Sequence, residues 1–266
     1  MELITNLREF AHWRRHCRSR VHFVPTMGGL HGGHHHLIGR ASRPTPPDRS
    51  RPEDSPLVVV SVFVNPLQFG SGEDFQAYPR DLQSDVSLAS QAGAAVLLAP
   101  ATDQLLPGHR GGDLFGVRVP ERLAGGLCGR SRPGHFDGVA TILARLISVV
   151  RPDRLFLGEK DWQQLVVVRN MVEALAIPLV VEGCSTVRDP DGLATSTRNL
   201  YLNSAERNRA LALPRVLSKA QSLHAAGSRS AEDLVGITRD RLEEAGLSVD
   251  YVELVDPCSL RPVPEA

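Results

Sequence analysis

Lysine is almost missing from this chain of 266 residues, in which Lys160 and Lys219 are the only two among 30 lysines and arginines. A surplus of either charge is missing too, because aspartate and glutamate together also number 30. Without a net basic charge there is no general field to neutralise a nucleic-acid backbone, so no nucleic acid is expected as a partner. Long apolar runs are absent. No stretch approaches the roughly 18–20 apolar residues that span a bilayer, and the N-terminal MELITNLREFAHWRRHC has no apolar signal core, so no membrane association is expected. Cysteine is sparse, and Cys17, Cys128, Cys184 and Cys258 form neither a CxxC pair nor a disulfide framework. A reducing cytoplasm is the expected location.

The scarcity of lysine has a second consequence. A biased genome accounts for the general preference for arginine, yet an ammonium still stands between Glu159 and Asp161. A compact, mobile point charge is not equivalent to a planar guanidinium, which singles out Lys160.

The remaining composition, 42% hydrophobic and 23% charged, is that of an ordinary globular protein. Up to about residue 187, short apolar runs alternate with longer segments of helical period. VHFV (21–24), LVVVSVFV (57–64), AVLLAP (95–100), RLFLG (154–158) and PLVVEG (178–183) read as buried strands. Segments 34–42, 75–92, 138–150 and 160–176 read as helices. This order predicts an α/β fold, a doubly wound parallel sheet with its ligand crevice beyond the carboxyl ends of the strands. Residues 43–56 (RPTPPDRSRPEDSP) read as an exposed, mobile loop. The character changes after residue 187. Two polar helices, about 204–226 and 229–245, and a strand VDYVELVD (249–256) predict a smaller C-terminal α+β domain over 188–266, beside a larger domain over 1–187.

Five segments stand out. PTMGGLHGGHHHLIGRA (25–41) places a glycine-rich turn between the first buried strand and a helix. Backbone amides there can approach a phosphate closely, and the helix N-terminus adds partial positive charge. His31 and His34 lie three apart, so both rings can face one anion, where N–H donors would favour a transition state that gathers charge. Zinc ligation is the competing reading, although no H-E-x-x-H or second ligand cluster accompanies the pair. His35 and His36 read as structural. In SVFVNPLQFGSGEDFQAYPRDLQSD (61–85), Asn65 and Gln68 are neutral amides at a strand's carboxyl end, suited to the hydroxyls and carboxylate of a small acid, and Pro66 turns the chain. GHFDGVAT (134–141) reads as a helix start capped by Asp137. LGEKDWQQLVVVRNM (157–171) again opens a helix just beyond a strand, with Gln164 one turn after Lys160. VRDPDGLATSTRNLYL (187–202) offers the hydroxyls of Ser196 and Thr197 and the guanidinium of Arg198 to phosphate.

The H-x-G-H loop resembles the adenylylating nucleotidylyltransferase superfamily, with its Rossmann-like fold. The other four segments, in this order, resemble the pantothenate synthetase family. The resemblance runs from about residue 20 to 256. It implies ATP-dependent condensation of pantoate with β-alanine through a pantoyl-adenylate, on a homodimer, with ATP as its Mg2+ complex and no tightly bound cofactor or protein-held metal. It implies His31, His34, Lys160 and Arg198 as catalytic groups. ATP would meet Met27, Gly28, Gly29, Leu30, His31, Gly32, Gly33 and His34. It would also meet Gly158, Glu159, Lys160 and Asp161, with Val187 at the base and Thr195, Ser196, Thr197 and Arg198 over the phosphates. Pantoate would meet Asn65, Gln68 and Gln164, and β-alanine would meet Gln68.

The sequence departs from the family at several points. The family's M-S-S-R is here Thr195-Ser196-Thr197-Arg198, which adds a methyl group at the second hydroxyl. Gly32 stands where the family often has a longer side chain, which implies a more flexible loop. The chain stops soon after VDYVELVD, so a shortened small domain is expected. Two other readings survive at this stage, a nucleotidylyltransferase that stops at a nucleotide-linked product and a weakly catalytic nucleotide-binding paralogue.

Overall fold

A computed structural model describes residues 1–44, 55–108 and 112–266. The loop expected at 43–56 lies largely outside the described residues. Six strands form one sheet: β1 (Glu2–Ile4), β2 (Val21–Thr26), β3 (Leu57–Val62), β4 (Val96–Leu98), β5 (Arg154–Gly158) and β6 (Val180–Cys184). Every pairing is parallel and the order across the sheet is β1-β4-β3-β2-β5-β6. Strand β1 has no counterpart among the expected strands, because three residues at a half-exposed edge carry no measurable period.

The larger helices are α1 (Leu7–His16), α2 (Gly32–Ala41) and α3 (Leu82–Gln91). Three single turns follow, α4 (Thr102–Leu105), α5 (Glu121–Ala124) and α6 (Cys128–Ser131). After them come α7 (His135–Val150), α8 (Trp162–Ala174), α9 (Ser204–Ala210), α10 (Ala212–Ala225) and α11 (Ala231–Glu244). Among the described residues no helix is long and apolar enough to cross a membrane.

The strands are apolar on both faces, and their period of two divides the core. Val21, Phe23, Val59, Val96, Leu98, Leu155 and Leu157 pack with α7 and α8 residues such as Leu146 and Val168. Their neighbours in sequence, Val24, Val58, Val60, Leu97 and Phe156, pack with Ile38 and Ala41 of α2 and Ala89 of α3. Helices therefore cover both faces.

Three sequence expectations are corrected. The helix placed over 75–92 begins only at Leu82. Residue 78 precedes Pro79 and is biased away from helix, and Asp81 then caps α3 by accepting the Ser84 N–H at 3.1 Å. Asp137 is not the cap of α7. The helix starts earlier, after Gly134, and the Asp137 carboxylate accepts the Val119 N–H at 2.7 Å. The strand expected over 249–256 does not form, and only an isolated bridge joins Val255 to Pro262. Prolines 257, 262 and 264 supply no N–H to a ladder, and the Asp256 side chain turns the chain by accepting the Cys258 and Ser259 N–H groups. The segment is instead tied down by Arg130–Glu253 and by Trp162 Nε1 donating to Pro257 O.

One feature of the sheet positions everything that follows. Strands β2 and β3 pair over six residues, whereas β2 and β5 pair only at His22↔Arg154 and Phe23↔Leu155. The strand order also reverses there, since the chain runs outward through β3 and β4 on one side and through β5 and β6 on the other. A crevice opens between the carboxyl ends of β2 and β5.

Candidate functional site

The chain leaves β2 through Gly28 and Gly29, whose φ values of +83° and +60° lie in the left-handed region that glycine tolerates. Asp85 of α3, only 1% exposed, holds this turn from behind, its two carboxylate oxygens accepting the Gly29 and Leu30 N–H groups at 3.2 and 2.7 Å. Burial pushes the Asp85 carboxyl up, while the two N–H donors oppose the rise.

Helix α2 then starts with an imidazole version of the reciprocal cap. His31 Nδ1 accepts the Gly33 N–H at 3.0 Å, and His34 Nδ1 accepts the His31 N–H at 3.2 Å. A backbone N–H can only donate, so Nδ1 of each ring must present its lone pair and the proton of the neutral ring sits on Nε2. Burial lowers the pKa of both rings. The Lys160 ammonium lowers His31 further, and His31 and Lys160 help bring His34 down to about 3. At neutral pH the pair presents two uncharged Nε2–H donors, with ring centroids 4.1 Å apart, to the crevice they line.

Opposite them, Asn65 caps a 3-10 turn over Pro66–Gln68. Its Oδ1 accepts the Leu67 N–H at 3.2 Å, and its Nδ2 donates to Gln68 Oε1 at 3.0 Å and to Gly138 O at 3.1 Å. Both donor hydrogens of the 1% exposed Asn65 are thus spent inside the protein. The Gln68 amide is held by its oxygen, which leaves its Nε2–H donors for a ligand. The backbone of the turn is fixed as well. Gln68 O accepts from His135 Nδ1 at 2.8 Å and from Arg132 Nη2 at 3.2 Å, and Arg132 is clamped by Glu73 at 2.9 and 2.6 Å. Gly138 belongs to the same arrangement, since a Cβ there would stand 2.2 Å from Leu67 O.

From β5 a short 3-10 turn over Glu159–Asp161 leads into α8. Lys160 Nζ lies 3.2 Å from Asp161 Oδ1 in an exposed pair, with side chains 38% and 59% accessible. Such pairs are weak, so the ammonium can turn to an arriving anion. Gln164, one helical turn on, lines the same crevice.

The segment 187–198 folds back on itself through the bridge Arg188↔Ala194. Arg207 of α9 bonds Asp189 and Asp191, both at 2.8 Å, and Thr195 Oγ1 donates to Asp189 Oδ1 at 2.6 Å. Thr197, only 6% exposed, donates its hydroxyl to Gly29 O at 3.0 Å. Its proton is therefore not directed at a phosphate, contrary to the sequence expectation. Arg198 forms a two-point ion pair with Asp74, Nε at 2.9 Å and Nη2 at 2.8 Å, and its guanidinium lies 5.7 Å from the Tyr78 ring centre.

The crevice is open to solvent, enclosing about 1260 Å³ when its mouth is counted. It brings together Met27, His31, Gly33, His34, Asn65, Gln68, Gly158, Lys160, Asp161, Gln164, Val187, Ser196, Thr197 and Arg198. Other residues that sequence assigned to the nucleotide are not on its wall. Gly28, Gly29 and Leu30 lie behind it on Asp85, Gly32 points into open space, Glu159 lies against Gly183, and the Thr195 hydroxyl is spent on Asp189. Sequence reasoning gave no role to Asp85, Asp74, Tyr78, Arg132, His135 or Gly138. The signal for the last two was their place in GHFDGVAT, where His135 and Gly138 hold the Asn65–Gln68 turn and Val139 lines the crevice.

Comparison with known proteins bears on the whole chain. A bifunctional pantoate ligase/cytidylate kinase from Prochlorococcus marinus (strain MIT 9313) is 52% identical over 251 residues, which is 94% of this chain and 48% of that protein. The counterpart from Parasynechococcus marenigrum (strain WH8102) is 49% identical over 91% of this chain and 44% of its own length. The chain thus spans about half the length of the curated relatives it matches. Among solved structures, pantothenate synthetase from Thermus thermophilus superposes with a TM-score of 0.89 and 41% identity, covering 100% of this chain and 91% of that one. Pantoate-beta-alanine ligase from Francisella tularensis, complexed with beta-gamma ATP and beta-alanine, gives a TM-score of 0.81 at 29% identity over 96% and 90%. The description Pantoate-beta-alanine ligase matches residues 1–266. With the parted sheet, the paired imidazoles and the two amides on one crevice, the chain belongs to the pantoate–β-alanine ligase family.

Proposed function

We propose that this chain condenses pantoate with β-alanine at the expense of ATP, giving pantothenate, AMP and pyrophosphate through a pantoyl-adenylate. The observation that carries the reading is the convergence of His31, His34, Lys160, Gln68 and Gln164 on one crevice at the parting of β2 and β5. The relatives' names support the substrates, and the Francisella protein's complex supports ATP and β-alanine. Mg2+ belongs to this proposal as part of the nucleotide substrate.

The Nε2–H groups of His31 and His34 and the Lys160 ammonium face the phosphates, with Ser196 and Arg198 above them. The Gln68 and Gln164 amides hold pantoate so that its carboxylate attacks the α-phosphorus. Charge then builds on the non-bridging oxygens and on the departing pyrophosphate, and donors already fixed in place stabilise that charge without reorganising. Activation is needed because a carboxylate is a poor acyl donor to an amine. The β-alanine amine then attacks the acyl carbonyl and AMP leaves. No enzyme nucleophile takes part. Asn65 enters through Gln68, by fixing which end of that amide faces the ligand.

The proposal extends to the assembly: residues 188–266 act as a small lid over a body formed by 1–187, two copies associate, and the protein works in the cytoplasm. Pyrophosphate release that requires pantoate, followed by AMP release that requires β-alanine, is the test. Pyrophosphate release with a stable nucleotide-linked product, indifferent to β-alanine, would replace the ligase with a nucleotidylyltransferase.

A further inference from the structure

Two segments that share no strand, the glycine turn after β2 and 195–198, border the crevice and meet at Gly29 and Thr197. Thr197 Oγ1 donates to Gly29 O at 3.0 Å, and its γ-methyl packs where a Cβ on residue 29 would come within 2.6 Å. The threonine hydroxyl proton is thereby committed to Gly29 O. The turn it grips is held on its other side by Asp85, through the Gly29 N–H at 3.2 Å and the Leu30 N–H at 2.7 Å. Two residues beyond Gly29 stands His31, and one residue beyond Thr197 stands Arg198.

We propose that Thr197 is a positioning residue that keys the 195–198 segment onto the glycine turn through Gly29, so that the His31–His34 pair and the Ser196–Arg198 pair face the nucleotide as one unit. Its hydroxyl and methyl act through the protein and not on phosphate. The fit is mutual: threonine fills the space that glycine leaves at position 29. A larger residue at 29 would be excluded by the threonine methyl as well as by its left-handed backbone.

The contact stands on the geometry alone; its effect on turnover rests on the ligase reading. Two readouts on the full chain separate them. The first is amide hydrogen exchange of the unliganded protein over 27–31 and 195–201. Thr197→Val keeps the shape and removes the hydroxyl, and should speed exchange about three- to tenfold in both segments, in line with one lost part-buried hydrogen bond. Thr197→Ser keeps the hydroxyl and should stay within about twofold of the parent. Gly29→Ala should loosen both segments, and Thr197→Ser added to it should restore part of the protection by removing the opposing methyl. The second readout is pantoate-dependent pyrophosphate release, in which Thr197→Val should lower kcat three- to tenfold while KM for pantoate stays within twofold. Exchange in Thr197→Val equal to the parent in both segments would overturn the proposal. So would loosening confined to 195–201. Faster exchange with a parent protein that releases no pyrophosphate would leave the contact standing and remove the ligase reading instead.

Discussion

Replacing Gly138 by alanine separates the roles of packing and of substrate placement. In α7 alanine is the better helix former by about 1 kcal/mol, so propensity alone forecasts a more stable protein. The neighbour decides otherwise. A Cβ at 138 would sit 2.2 Å from Leu67 O, 2.5 Å from Leu67 C and 2.9 Å from Gln68 N, and all three are backbone atoms. About 1 Å of displacement is needed to reach ordinary contact distance. Inside a packed interior such insertions cost about 1–3 kcal/mol, which the propensity gain offsets in part, so the net loss of stability is expected to be small, about 0–2 kcal/mol. The larger effect falls on the site. The 66–68 turn is the softer of the two surfaces, and its displacement pulls Gln68 from Asn65 and moves the Asn65–Gly138 bond. A misplacement of about 1 Å at a positioning residue costs on the order of 10²-fold in rate. Pyrophosphate release at varied pantoate should show kcat/KM for pantoate reduced by about that factor, with ATP binding nearly unchanged and the melting temperature lowered by only a few degrees. A folded Gly138→Ala enzyme within threefold of the parent would refute the claim that this glycine sets the position of Gln68.

His34→Ala should lower turnover by roughly 10²–10³, the loss of one preorganised donor; a change under threefold in pyrophosphate release would remove His34 from the mechanism. Lys160→Arg should be strongly impaired although charge is kept, because a fork cannot reproduce a point charge, and near-normal ATP–pyrophosphate exchange would count against it. The His34 imidazole also makes stability depend on pH. Its folded value of about 3 lies below the 6.5 of an unfolded ring, so the unfolded chain takes up the proton first. Stability from this group is complete above about pH 6.5 and declines as pH falls toward 3. His34→Gln retains a capping acceptor and should show a shallower fall in melting temperature between pH 7 and 5. Gly32→Ala meets nothing within 4 Å and should stabilise α2 by about 0.4–1 kcal/mol, read as a higher urea midpoint.

The five strands after β1 were legible because burial on both faces writes them as unbroken apolar runs, and the crevice was legible because strand order and motif position agree. Strand β1 was hidden by its brevity. The strand expected at 249–256 had the right alternation but no neighbour to pair with, and alternation describes a surface, not a partner. Within the site, residues that line the crevice were readable by type: imidazole, ammonium, amide. Those that hold them were not. Asp85 and Asp74 look like surface acids until the fold brings a glycine turn to one and Arg198 to the other. Asn65 had the chemistry of a ligand group, and only the structure reveals that both its donors point inward. Thr197 reads as a phosphate-facing hydroxyl with an added methyl until Gly29 is seen opposite that methyl.

The ladder between β2 and β5 stops after Phe23 and Leu155, so at the carboxyl ends of these strands no backbone hydrogen bonds sew the sheet across the crevice. A nucleotide and an acid lodged there would act as stitching, bridging two half-sheets that meet for only two residue pairs. Substrate would then stiffen the molecule as a whole, raising its melting temperature through the linkage of binding to folding, and departure of product would remove that bridge.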